Sequence, residues 1–196
     1  TMGDIAITLY VHAGTLKNGI TYLKVRSEYL EAWGLEKDDV LHEALLNSYR
    51  ILPPRIYDFK KMMYTPGYAG EDFLNMDPYF ISDKKKKEGI CLSVKGLSNG
   101  AVAVLYPGVI KKLVEFMDGG FYVVFSSVHE ALIYSSKLCS LEELENLLRT
   151  SNARMTFQKE FLTDKVYYYC KEEDKFIMLR GSMKMLVTTI RMDEEN

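Results

Sequence analysis

Between residues 103 and 136 the chain reads AVLYPGVIKKLVEFMDGGFYVVFSSVHEALIYSS, and this stretch restricts the fold more than any other. Two runs rich in β-branched and aromatic residues, Phe121 to Ser126 and Val128 to Tyr134, follow each other almost without a break. A parallel pair needs a crossover of about a dozen residues, so two such runs can be neighbours only as an antiparallel pair. Just before them Val109, Ile110, Leu113, Val114 and Met117 fall on one helical stripe. Pro107 stands where a first helical residue tolerates the missing N–H, and Gly119-Gly120 closes the helix.

The same reasoning extends along the chain. Ile5 to Val11 and Ile20 to Arg26 are predicted strands around HAGTLKNG, with Asn18-Gly19 supplying the positive φ of a hairpin turn. Ser27 is placed to cap a short helix ending at Gly34. A second helix runs from about Lys37 to Arg50 and stops at Pro53-Pro54. Residues 55–88 show no sustained period, and Lys84 to Lys87 reads as a solvated loop tip. Ile90 to Val94 and Ala101 to Tyr106 are predicted to pair across KGLSNG. Ser140 with Glu143 has capping-box spacing, ahead of Leu141, Leu144, Leu147 and Leu148. Val166 to Cys170 and Phe176 to Leu179 form a closing hairpin across KEEDK, and Met183 to Met192 a further strand. The order ββαα then ββαββαββ predicts an α+β fold: a mostly antiparallel sheet with helices on one face. The organisation expected is one domain over residues 1–196, with sub-lobes 1–54 and 89–180 joined by the irregular 55–88.

Composition narrows the function classes. A net charge of −2 provides no general attraction to nucleic acid or anionic membranes, and no apolar run approaches the ~20 residues of a membrane span. The start TMGDIAITLYV lacks the basic end and long apolar core of a signal peptide. Cys91, Cys139 and Cys170 are odd in number and far apart, which fits reduced thiols and a cytoplasmic location. Fourteen tyrosines suit a strand-rich sheet or a partner surface.

The residues able to do chemistry gather at Ser126, Ser127, His129 and Glu130. Nucleophilic catalysis needs a serine against a base that a third group orients. If these residues continue a strand, Ser127 and His129 share one face while Glu130 points to the other and cannot orient the imidazole. The Gly-x-Ser-x-Gly elbow is absent, and a hairpin corner is the favoured reading. His129-Glu130 opens like a zinc helix motif, but its second ligand position is Ile133. His12 and His42 have no ligand-spaced partners, so no metal is expected. The sequence carries no phosphate-cradling glycine motif, and no cofactor is expected. The tyrosines of Tyr167-Tyr168-Tyr169 are expected to alternate between core and rim.

The segments YLKVRSEYLEAWGLEKDDVLHEALLNSYRILPPRI, LYPGVIKKLVEFMDGGFYVVFSSVHEALIY and EFLTDKVYYYCKEEDKF together resemble an uncharacterised family found mainly in clostridial gut bacteria. That family tends to carry Leu-Tyr-Pro-Gly, a helix, then a strand ending Ser-Ser-x-His-Glu. A more distant resemblance is to an uncharacterised bacillar family. The resemblance covers Gly3 to Leu179 and excludes Gly181 to Asn196. It implies that Pro107-Gly108 and the Ser126 to Glu130 corner are family features; both are read at strand ends, and from that position they are expected to come together at one edge of the sheet. It implies too that an N-terminal region common in the family is missing here, with Thr1 a cut edge.

The function expected is a cytosolic binding or interaction module. It would meet a protein or peptide, or a second copy of itself, through an exposed sheet edge, with Pro107, Gly108 and Ser126 as binding candidates. The rival is a hydrolase or transferase using Ser127, His129 and Glu130. Nucleic-acid binding through Lys84 to Lys87 with Lys111, Lys112 and Arg149 ranks last.

Overall fold

The computed structural model describes residues 1–17, 19–154, 159–180 and 183–186. Its main sheet contains β3 (Pro54–Tyr57), β4 (Glu71–Asp72), β5 (Ile90–Val94), β6 (Phe121–Val124), β7 (Ala131–Ser135), β8 (Val166–Cys170), β9 (Lys175–Arg180) and β10 (Met183–Leu186). The strand order is β10-β9-β8-β6-β7-β5-β3-β4, and every neighbouring pair is antiparallel. A separate ribbon pairs β1 (Tyr10–Leu16) with β2 (Gly19–Lys24). The helices are α1 (Ser27–Trp33), α2 (Lys37–Ile51), α3 (Phe59–Tyr64), α4 (Asp83–Glu88), α5 (Val109–Met117) and α6 (Leu141–Arg154). The class is α+β, as the short turns require.

The helices cover both faces of the sheet, where one was expected. Val109, Leu113, Phe116 and Met117 of α5 pack with Leu92, Phe121, Val123, Ile133 and Tyr167 in the larger core. On the opposite side Leu144 and Leu148 of α6 meet Val124, Tyr134 and Val166. Strands such as FYVV and ALIY are apolar at nearly every position, and a strand of that kind needs cover on both sides. The tyrosines of β8 alternate as expected: Tyr167 and Tyr169 are buried, and Tyr168 is half-buried. The capping box also forms, with the Ser140 N–H donating to the Glu143 carboxylate at 3.0 Å and the Glu143 N–H to the Ser140 hydroxyl at 3.3 Å.

Several elements differ from the sequence expectation. The first strand starts at Tyr10 rather than Ile5, because HAGTL pairs with the second strand through an irregularity between His12 and Gly14. Ile5 instead bridges to Met2, and both are buried. Gly19 opens β2, while Asn18 of the expected turn lies outside the described residues. Helix α1 begins at Ser27 itself, with Arg26 in the cap position and no side-chain cap.

Ala101 to Tyr106 is not a strand: Gly100–Leu105 forms a buried 3-10 helix laid across β5. A Cβ on Gly100 would fall 2.0 Å from the Ser93 hydroxyl and 2.6 Å from the His129 carbonyl oxygen, so only glycine permits this approach. The chain reaches it through Leu97 and Asn99, both in the left-handed region. Helix α5 starts two residues after Pro107, with Gly108 at φ 76° as its cap. Of the strand expected over Met183 to Met192, residues 187–192 lie outside the described residues.

Residues 55–88 are the largest departure. They supply β3 next to β5, then α3, β4, a 3-10 turn at Pro78–Phe80, and α4. Lys84 to Lys87 is helical, not a loop tip, because Ser82 accepts the Lys85 N–H as a cap and Gly89 ends the helix. Tyrosine 57 anchors the segment by donating from its hydroxyl to the Val94 carbonyl at 3.0 Å.

Candidate functional site

The corner at residues 126–130 lies between strands, since β6 ends at Val124 and β7 begins at Ala131. Strand alternation therefore does not set its side-chain directions. Serine 126 donates to Glu130 at 2.6 Å. The Ser127 hydroxyl accepts the N–H of His129 at 3.0 Å, which is a local turn bond. The His129 Nδ1 accepts the Asn99 N–H at 3.2 Å, and its Nε2 lies 3.5 Å from a Glu160 carboxylate oxygen. A nitrogen that accepts must be unprotonated, so the proton of the neutral ring sits on Nε2, towards Glu160. The His129 carbonyl takes the Ser93 hydroxyl at 2.6 Å, and the Val128 carbonyl takes the Ala101 N–H at 3.1 Å. These bonds tie together β5, the 3-10 helix and the loop reaching Glu160.

Pro107 and Gly108 lead into α5: Gly108 caps the helix, and its carbonyl accepts the Lys112 N–H at 3.1 Å. Three of the four lysines in the run have an acidic partner. Lys84 pairs with Glu88 at 3.7 Å, Lys85 with Asp58 at 2.8 Å, and Lys86 with Asp83 at 3.5 Å. Lys112 pairs with Glu115, and Arg149 donates to Asn146.

A concave feature lies in the stretch that showed no period. A cavity of about 510 Å³ opens beside β3, with Ile56, Met76, Ile81 and Ile90 as apolar lining and Asp58, Lys61, Tyr68, Glu71, Asp77 and Lys85 as polar lining. That volume falls within the range of small-ligand pockets, ~300–1,000 Å³.

Its walls are built by caps and ion pairs. Asp58 caps α3, accepting the N–H of Lys60 at 2.9 Å and of Lys61 at 3.1 Å. The Lys85 ammonium, followed by these backbone donors, holds the Asp58 carboxyl down at about 2. From α3, Lys61 reaches Glu71 at 2.8 Å, and its ammonium lies 5.5 Å from the centre of the Tyr68 ring. The hydrogen bond to Glu71 raises the lysine's pKa. Burial raises that of Tyr68, whose hydroxyl accepts the Asp58 N–H at 3.3 Å. Gly70 lets β4 lie close to β3: at φ 75° it places its α-carbon where a Cβ would meet the Tyr57 ring at 2.9 Å.

An exposed aromatic residue lines the cavity, with a second beside it in sequence. Phe80, which lines the cavity, is 81% exposed, and its neighbour Tyr79 is 96% exposed. Three start signals could have located these walls from sequence: Asp58 before FKK, Asp77 before Pro78, and Ser82 before Asp83. Each is a short polar residue at the head of a turn too brief to show a period.

The two sites differ chemically. In the corner, both imidazole nitrogens face structural partners. In the cavity, two carboxylates are paired with lysines, leaving groups suited to recognising a ligand rather than attacking one. Among the described residues no cluster of His, Cys, Asp and Glu is arranged to hold a metal ion. Nor is any helix there long and apolar enough to cross a membrane.

No curated protein and no solved structure matches the chain. A family model does match, over residues 1–171, and it spans the ribbon, the cavity, the corner and the sheet through β8. The chain belongs to that family, DUF5688, a family of unknown function.

Proposed function

We propose that the chain is a cytosolic, non-catalytic binding module that receives a segment of a partner protein or peptide in the cavity beside β3. The observation that carries this reading is the pairing of a ligand-sized cavity with an exposed aromatic rim at Tyr79 and Phe80. Large apolar side chains left in water beside a concavity mark interaction sites on folded proteins. The cytosolic setting is supported by Cys91, Cys139 and Cys170 being free thiols. Strand addition at the β4 edge is less favoured, because a two-residue edge strand offers little backbone to pair with. The opposite edge at β10 stays within the proposal as a surface for a second copy of the chain.

The test uses peptides selected from a displayed random library against the full chain. Each is titrated into isotope-labelled protein while backbone amide shifts are followed. Shifts concentrated at residues 56–90 are expected. Shifts centred on residues 126–130, or hydrolysis of peptides or esters that stops with His129→Ala, would replace this reading with the hydrolase one.

A further inference from the structure

Resting on the binding reading above and narrowing it, we infer that the cavity accepts a basic side chain, the guanidinium or ammonium of an arginine or lysine flanked by apolar residues in a partner peptide. The charge arrangement of the walls supports this. Lys85 is matched by Asp58 and Lys61 by Glu71, each at 2.8 Å, so both ammonium groups are neutralised within the protein. Asp77 remains. Its carboxylate accepts the Tyr79 N–H at 2.9 Å, and no cation is paired with it among the described residues.

Asp77 caps the Pro78–Phe80 turn. Asp77 and Phe80 both line the cavity, so a carboxylate and an exposed aromatic ring are presented to the same ligand. A guanidinium satisfies both at once, donating hydrogen bonds to the carboxylate while its plane covers the ring. The methylene stem and apolar neighbours of such a residue would lie along Ile56, Met76, Ile81 and Ile90. An acidic side chain meets the reverse conditions. To gain a cation it would have to break one of the two ion pairs, and it would face Asp77 unscreened.

The test takes individual peptides from the selection and measures their binding to the full chain by fluorescence polarisation, with wild type, Asp77→Asn and Phe80→Ser in parallel. Asparagine caps a turn about as well as aspartate, so Asp77→Asn removes the charge and leaves the fold. Peptides enriched in Arg or Lys are expected. Asp77→Asn, or Arg→Gln in the peptide, should each weaken binding about tenfold or more, as for loss of one charge-assisted pair. Selected peptides that are acidic or neutral, sensitive to Phe80→Ser but indifferent to Asp77→Asn, would overturn the basic-side-chain inference and leave the cavity reading standing. Failure to select any peptide, or equal binding to all three proteins, would overturn both.

Discussion

Replacing Gly100 with alanine tests whether the 126–130 corner is a structural joint. The new methyl would sit 2.0 Å from the Ser93 hydroxyl, 2.6 Å from the His129 carbonyl oxygen and 2.8 Å from the Val94 nitrogen. The hydroxyl can rotate away only by giving up its 2.6 Å bond to that same carbonyl. The two backbone atoms belong to β5 and to the loop before β7, and neither moves without the sheet. Overpacking of this kind costs about 1–3 kcal/mol, and stranding a buried hydrogen-bonding group adds about 1–3 kcal/mol. A total near 3 kcal/mol lowers the melting temperature of a chain this size by about 6–12 °C. The assay is urea and thermal unfolding of Gly100→Ala, Ser93→Ala and the double variant. Ser93→Ala removes the closest clash but leaves the two backbone ones. Gly100→Ala should therefore be milder in that background, with a coupling of about 1 kcal/mol between the sites. A Gly100→Ala protein within about 1 kcal/mol of wild type, or strictly additive variants, would refute the joint.

Four other outcomes follow from the geometry. The Asp58 carboxyl is held at about 2 from an ordinary 3.8, so its contribution is complete above the unfolded value and is lost as pH falls towards 2. Asp58→Asn should cost about 1 kcal/mol at neutral pH, given partial exposure of the pair, and the gap in urea midpoints should close between pH 4 and 2. Tyr167→Phe removes the donor to the Met2 carbonyl at 3.0 Å. It should cost about 1–3 kcal/mol, with faster amide exchange at residues 2–5 as the diagnostic. Leu148→Ala, at a fully buried position on the sheet-facing side of α6, should cost about 2–5 kcal/mol in urea unfolding while peptide affinity at the cavity stays unchanged. Burial pushes the Cys91 thiol up to about 12. Alkylation monitored by mass spectrometry should modify the half-exposed Cys139 and Cys170 first, and Cys91 only at the rate of global unfolding.

What could be read from sequence follows the strength of local signals. The α5 stripe, the Ser140–Glu143 box and the alternating tyrosines of β8 were each specified within a few residues. All three are found where expected. The 100–105 stretch alternates small and β-branched residues like a strand, yet becomes a 3-10 helix because Gly100 permits a contact with residues about 30 positions away. No local pattern encodes that approach. The cavity was hidden for a similar reason. Its walls are short turns joined by pairs such as Asp58 with Lys85, distant in sequence and only two of many charges in it. The corner's residues were visible as a group, but their partners Asn99 and Glu160 come from loops whose paths the sequence leaves open.

The contact between Tyr167 and Met2 carries a consequence for how the molecule is made. The two residues are 165 positions apart, and Ile5 and Met2 enter the core only when β8 is in place to receive them. On a ribosome adding roughly 5–20 residues per second, Met2 and Ile5 wait on the order of ten to thirty seconds for their partner strand. During that interval β5, β6 and β7 can pair among themselves, being close in sequence, while these two apolar residues remain uncovered. The order of synthesis thus makes docking of residues 2–5 a late step of folding. Chains arrested before residue 167 should expose that segment to proteases and chaperones.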